Sequence, residues 1–196
     1  TAVYSGTTYT VPTAPLTAIT NTKLLLNMAD AQVFDSAAQN TMVLLGNADS
    51  STTQQKFGTA SLALDGTGDA AQVRLGDASR YNVSSLTGPF TIECWARADD
   101  TTNAWLWCNG HYTLELGLRG DNVQIYSAAS DGNFFTGGEF TVNTWHHLAL
   151  VRDTSNVIKC YLNGTASGTT FTNSTAFLTT EGIFYIGGEW ATSASV

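Results

Sequence analysis

The sequence predicts an all-β chain folded as an antiparallel β-sandwich, and three observations carry that expectation. Charged residues make up only 12% of the 196 positions and aromatics 11%, while Gly, Ser, Thr and Asn are frequent. That is a composition of strands and turns, not of helices or disorder. Runs of apolar and β-branched residues recur between short Asp/Asn/Gly/Ser clusters, as strands and their turns do. The clearest case is residues 143–164, where runs at 145–152 and 157–162 flank Asp153-Thr154-Ser155-Asn156 and Asn163-Gly164 closes the second run. Period two sets Trp145, His147, Ala149 and Val151 on one face and His146, Leu148, Leu150 and Arg152 on the other. Both faces carry apolar residues, which predicts a strand in the middle of the sandwich.

The remaining elements follow in order. Residues 1–20 hold Pro12 and Pro15 and are expected to run extended. Residues 21–28 are expected as a first strand, 41–46 as a short one, and 60–64 with 71–75 as a hairpin around Asp65-Gly66-Thr67-Gly68-Asp69. Residues 76–89 read as a connection with one helical turn around 79–83. A strand at 90–96 sets Phe90, Ile92, Cys94 and Ala96 against Thr91, Glu93, Trp95 and Arg97. Strands are expected at 105–109, 112–118 and 122–128, with Gly110-His111 and Gly120-Asp121 as turns. Asp131-Gly132-Asn133 is a turn and Gly137-Gly138 a bend. Residues 165–173 read as a polar stretch, and 183–187 as a strand.

Four of these stretches resemble laminin-G-like domains, which belong to the concanavalin A-like lectin/glucanase jelly rolls. Trp145-His146-His147-Leu148-Ala149-Leu150-Val151-Arg152-Asp153 with Tyr161-Leu162-Asn163-Gly164 resembles their central hairpin. Residues 57–69 (FGTASLALDGTGD), Pro89-Phe90-Thr91-Ile92-Glu93-Cys94-Trp95 and Tyr185-Ile186-Gly187-Gly188 are similar to three further family segments in the same order. The resemblance spans roughly residues 21–190 and implies a concanavalin A-like jelly roll. It leaves function open, because lectins, adhesion modules, hydrolases and structural domains share this fold.

The resemblance also bears on organisation. Residues 1–16 are similar to the end of one repeat, and 20–25 to the first strand of the next, in the tandem arrays of marine bacteriophage tail-fibre and virion proteins. Residues 1–20 are therefore expected as an extended N-terminal arm or the end of a preceding repeat, and 21–196 as the domain. Family members continue past the Tyr185 segment into a closing strand, which residues 189–196 do not resemble. An open sheet edge is a liability unless covered, so a neighbouring copy is expected to cover it. The chain starts at Thr1 without a signal peptide and is expected to be a piece of something longer.

The formal net charge of −8, from 16 acidic and 8 basic residues, disfavours nucleic acid and anionic membranes as partners. No apolar run approaches the about 20 residues that span a bilayer. Cys94, Cys108 and Cys160 are odd in number, which favours three buried free thiols over one disulfide; no spacing suggests zinc.

Hydrolysis by paired carboxylates needs two of them aimed into one cleft. Glu93 and Glu115 are each alone on their strand, and Glu139, Glu181 and Glu189 lie near turns. His146 and His147 are adjacent, so they point to opposite faces, and no nucleophile elbow accompanies them; His147 is expected to be a packed, hydrogen-bonded residue. The chain is therefore read as non-enzymatic. Sugars take flat aromatic faces with neutral hydrogen-bonding groups. Trp105 and Trp107, expected to share one strand face, form one such cluster with His111, Phe134 with Asn133 a second, and core packing is the competing reading for the two tryptophans; Trp95 and Trp145 are assigned to the core. Calcium is compatible with Asp131 and Asp121 in their loops, each of which also reads as an ordinary turn residue. The expected role is a structural or adhesion domain of a virion or extracellular fibre, whose partners are copies of itself, other virion or fibre proteins and host-surface glycans. A calcium-dependent lectin or carbohydrate-binding module is one alternative, and a glycoside hydrolase with an unrecognised site is another.

Overall fold

A computed structural model describes residues 3–28, 32–37, 40–74, 85–110, 113–127, 135–178 and 183–188. These residues contain strands and no helix. In chain order the strands are β1 (Thr41–Leu45), β2 (Asp49–Ser51), β3 (Ser61–Ala63), β4 (Ala70–Arg74), β5 (Ser85–Leu86), β6 (Phe90–Ala96), β7 (Ala104–Cys108) and β8 (Glu115–Arg119). They continue with β9 (Asn122–Tyr126), β10 (Phe135–Glu139), β11 (His146–Arg152), β12 (Val157–Leu162), β13 (Thr165–Thr172), β14 (Phe177–Leu178) and β15 (Ile183–Ile186).

A seven-stranded sheet in the order β1-β4-β15-β7-β8-β9-β10 packs on a four-stranded sheet in the order β13-β12-β11-β6. All their pairings are antiparallel. The interior between them is built by alternation: Leu114, Leu116 and Leu118 run into and along β8, Leu148 and Leu150 lie on β11, Ile158 and Cys160 on β12, and Val73 and Phe184 on β4 and β15. Burying one such side chain contributes about 1.5–3 kcal/mol. Every residue of β11 is buried, on both faces, as expected for a central strand. The turn into β12 is held by Asp153, whose carboxylate accepts from Ser155 N and Val157 N. Asn163 and Gly164, both at positive φ, turn β12 into β13.

One lateral side of the sandwich is closed. Gly138 N of β10 donates to Ser167 Oγ of β13, and a Cβ on Gly138 would lie 2.9 Å from that oxygen. Gly137 and Gly138 are therefore strand residues beside a register shift, not a bend; without side chains they let the two sheets approach. The polar stretch 165–173 likewise contains a full edge strand, β13. On the other lateral side lie the terminal strands β1 and β6. There the inward-facing Ile92, Cys94 and Ala96 are only partly buried, whereas Leu148 and Leu150 across the ladder are 0% exposed.

Two expected pairings change. Residues 21–28 are extended but join no ladder: Leu25 N donates to Asp35 Oδ1, Ser36 N to Leu25 O and Asn40 Nδ2 to Lys23 O, while Leu24 packs on the core. β3 and β4 do not form a hairpin; β3 pairs with β2, and β4 with β1 and β15. The reason is Asp69, 1% exposed, whose carboxylate accepts from both Asn47 N and Asp65 N. It ties two turns together and directs their strands elsewhere. The turn at 79–83 lies outside the described residues.

Arg152, at the end of β11, is 0% exposed. Its guanidinium donates to the carbonyls of Gly88, Thr175 and Leu86 at 2.8, 2.8 and 2.7 Å. It lies 5.1 and 5.3 Å from the ring centroids of Phe90 and Phe177. A planar, multi-donor cation suits such a carbonyl cluster. It pins the small β5–β14 pair to the central strand. Cys94, Cys108 and Cys160 are not in disulfides; Cys108 and Cys160 are buried and Cys94 partly so.

Candidate functional site

The outer face of the seven-stranded sheet is read from its register. Trp105 pairs with Gly117 and Trp107 with Leu116, with a bulge between them. Gly117 and Leu116 are consecutive and face opposite ways, so the bulge sends the two tryptophans to opposite faces. The expectation that they share a face is wrong for this reason. Trp107 is a core residue, 3% exposed, with its ring 5.7 Å from Phe184 and nearly parallel to it.

Trp105 goes outward and is half-buried. Its ring occupies the space a side chain at 117 would take: a Cβ there would lie 2.7 Å from Trp105 Cε3. Gln124 pairs with Gly117 in the next strand and is half-buried, as is Tyr126 two residues on. The result is an indole platform with a neutral amide and a phenol on the same face. One residue row away, Gln72, Tyr185, Cys108 and Glu115 cross the same face, all 2% exposed or less. Cys108 Sγ donates to Glu115 Oε1 at 3.5 Å.

The outer face of the four-stranded sheet carries a second constellation. Glu93 and Trp95 on β6 stand beside Ala149 and His147 on β11, and Tyr161 of β12 follows. Residues 3–9 cross this face. Tyr4 donates to Glu93 Oε2 at 2.6 Å, and the Tyr9 hydroxyl lies 2.5 Å from His147 Nδ1. His147 Nε2 is 3.1 Å from Glu93 Oε2, although off the line of a straight hydrogen bond. Burial raises both phenol pKa values well above the ordinary range; for Tyr4 the Glu93 bond adds to it, and for Tyr9 the neighbouring Tyr4. Tyr9 therefore stays a neutral phenol, and its hydroxyl shares one hydrogen bond with His147 Nδ1.

His147 is thus the packed, hydrogen-bonded residue expected. His146 faces the other way, against Phe140, with Thr141 N and Asn163 Nδ2 on its ring nitrogens, and burial lowers its pKa. Trp95 is not a core residue. It lies on the outer face, half-buried, edge-on to Phe57 and His147, with Lys56 Nζ 4.2 Å above its ring. Trp145 is half-buried just before β11, outside the strand expected to start with it.

Glu93 and Glu115 project from the outer faces of different sheets. Packed sheets lie about 10 Å apart, so these carboxyls cannot approach the about 5–9.5 Å that glycosidase pairs require. Asp121 sits at φ 65 in the β8–β9 turn. Its carboxylate accepts from Thr101 Oγ1 and its carbonyl from Phe140 N at 2.7 Å. Among the described residues no three His, Cys, Asp or Glu side chains gather where a metal could sit. His111, Asp131, Asn133 and Phe134 lie outside the described residues. The sequence reading passed over Tyr4, Tyr9, Gln124 and Tyr126; nothing in local spacing marks which face a distant segment will cover.

Two antiparallel sheets sharing one interior define a jelly-roll-type sandwich. A laminin G-type family model, described as the concanavalin A-like lectin/glucanases superfamily, matches residues 65–196, and the chain belongs to that superfamily. No curated protein matches it by sequence. The binding domain of botulinum neurotoxin serotype D is similar in fold at TM-score 0.62 and 14% identity, over 84% of this chain and 42% of that one. The serotype D ligand binding domain in complex with N-acetylneuraminic acid gives 0.61 and 13%, over 82% and 41%. The binding domain of Paraclostridial Mosquitocidal Protein 1 gives 0.59 and 13%, over 83% and 46%. The chain spans less than half the length of these solved chains. No helix among the described residues is long and apolar enough to cross a membrane.

Proposed function

We propose that this chain is a non-enzymatic adhesion or structural domain of a virion or extracellular fibre, which assembles with copies of itself and binds surface glycans on the outer face of its seven-stranded sheet. The observation that carries the reading is Trp105, turned outward by the β7 bulge, seated over Gly117 and half-exposed beside Gln124 and Tyr126. An indole face suits the apolar C–H face of a sugar ring, and the amide and phenol suit its hydroxyls. The separation of Glu93 from Glu115 supports binding over hydrolysis. The toxin ligand binding domain solved in complex with N-acetylneuraminic acid, 41% of whose length this chain spans, adds the support of a sugar-binding protein that contains a similar fold. The partly buried inner residues of β6, at a sheet edge unpaired among the described residues, support assembly. Residues 1–20 are then an arm of this domain, because Tyr4 and Tyr9 pack on its own sheet.

A glycan array probed with the wild-type chain and with Trp105→Ala tests the binding half. Retained glycans that Trp105→Ala fails to hold support it; equal binding by both proteins removes the platform. A chelator arm separates a calcium-dependent lectin from this reading, and sizing in solution tests assembly.

A further inference from the structure

We propose that the outer face of the four-stranded sheet is a receptor site for the extended segment at residues 3–9, and that copies of this chain join by exchanging that segment. The proposal rests on the assembly part of the reading above and names the element through which it occurs.

The segment is held as a bound peptide is held, by main-chain bonds and two side-chain anchors. Thr7 O accepts from Ala166 N and Tyr9 N donates to Gly164 O, both at 2.8 Å, with Thr8 bridged antiparallel to Thr165. Gly6 O accepts from Tyr161 Oη at 2.9 Å and Lys159 Nζ at 3.4 Å. At the far end Val3 N donates to Thr91 Oγ1 at 2.9 Å. The segment therefore crosses β13, β12, β11 and β6 in turn. Only its tyrosines sink in; residues 5–8 are exposed. Tyr4 and Tyr9 stack on each other with centroids 3.7 Å apart and meet Tyr161 edge-on. Each hydroxyl finds a matched partner, Glu93 or His147.

The receptor face is shaped for an occupant. Ala149, Val151 and Tyr161 are 0%, 2% and 0% exposed on the outer side of a sheet, with Tyr4 and Tyr9 packed against them. Without a strap this apolar strip would face water. The connector is shaped for reach. Residues 13–15 and 17–21 are exposed, Pro12 and Pro15 keep it extended, and the six residues 10–15, ahead of Leu16 whose carbonyl accepts from Asn27 Nδ2 at 2.9 Å, span up to about 20 Å. Nothing in the contacts requires that strap and sheet share one polypeptide, and exchange of an identical element between copies needs no new interface.

The test uses full-length chains. Val3→Cys and Thr91→Cys single variants are mixed under mild oxidation, with Thr170→Cys, an exposed edge-strand position, replacing Thr91→Cys as the collision control. Exchange predicts a disulfide-linked heterodimer well above the control. No excess, while the Val3→Cys/Thr91→Cys double variant closes within one chain, overturns it. In parallel, a labelled peptide of residues 1–12 is titrated into Tyr4→Ala/Tyr9→Ala chain, whose own strap is weakened. Saturable binding that falls about tenfold or more on adding Glu93→Ala supports the receptor site; no binding by the folded double variant overturns it, whatever the crosslinking shows. Oligomers on sizing without strap crosslinks would leave assembly standing and remove exchange.

Discussion

Arg152→Met removes the one side chain that ties the central strand to three backbone carbonyls. The hydrocarbon stem is largely replaced, so the change isolates the guanidinium. Three charge-assisted bonds are lost, to Gly88, Thr175 and Leu86. An orphaned buried acceptor costs about 1–3 kcal/mol. Gly88 and Thr175 lie on connecting segments and Leu86 ends the two-residue β5, so at the low end for each the three sum to about 3 kcal/mol. Two cation–π contacts, with Phe90 and Phe177, add about 1–2 kcal/mol. The expected loss is about 4–5 kcal/mol, which at about 2–4 °C per kcal/mol lowers Tm by about 8–20 °C. Urea unfolding with an unchanged m-value measures it. Arg152→Lys should restore only part, because one ammonium cannot span three carbonyls in a plane. A loss below about 1 kcal/mol for Arg152→Met, within the range of ordinary surface substitutions, would refute the clamp.

Further outcomes follow from the same geometry. Gly117→Val should displace the Trp105 ring, which lies where the new Cβ must go, and shift its fluorescence toward that of a solvated indole; an unchanged spectrum contradicts the seating. Burial pushes the Cys94 and Cys160 thiols up to about 12, so near neutral pH a thiol reagent should leave both unmodified in the native chain and modify both after unfolding. The Tyr4 and Tyr9 phenols are likewise raised by burial, and a released strap would ionise near about pH 10. The docked state holds the neutral form, so docking is complete below that pH and weakens as pH rises beyond it. Tyrosinate absorbance should therefore report Tyr4 and Tyr9 as late-titrating phenols in the wild-type chain, alongside Tyr161, which burial also raises, and fewer of them in Glu93→Ala. Gly46→Ala should cost more than about 1 kcal/mol in thermal unfolding, since φ is +66 and the new Cβ would lie 2.2 Å from Asp69 Oδ1.

Much of the sandwich is legible in the chain because its signals are local. Alternation along residues 90–96 and 114–118 sorts side chains between faces, and Asp153, Asn163 and Gly164 mark turns by their own chemistry. The errors arise where alternation is interrupted or a partner is chosen from afar. A bulge between Trp105 and Trp107 reverses the parity of everything after it. The pairing of β3 with β2 depends on Asp69 meeting Asn47, 22 residues away.

From the sequence by itself came the strand periodicity, the turn residues, the antiparallel sandwich, the superfamily and the opposed faces of His146 and His147. All of these depend on neighbours a few positions apart. Only the tertiary structure decided which tryptophan turns outward, which strands are neighbours, where Arg152 anchors, and that Tyr4 and Tyr9 lie on Glu93 and His147. Those contacts join residues as many as 138 positions apart, and pleated sheets admit many pairings of similar local quality. What selects among them is the burial of apolar surface and the satisfaction of polar groups over the whole chain at once.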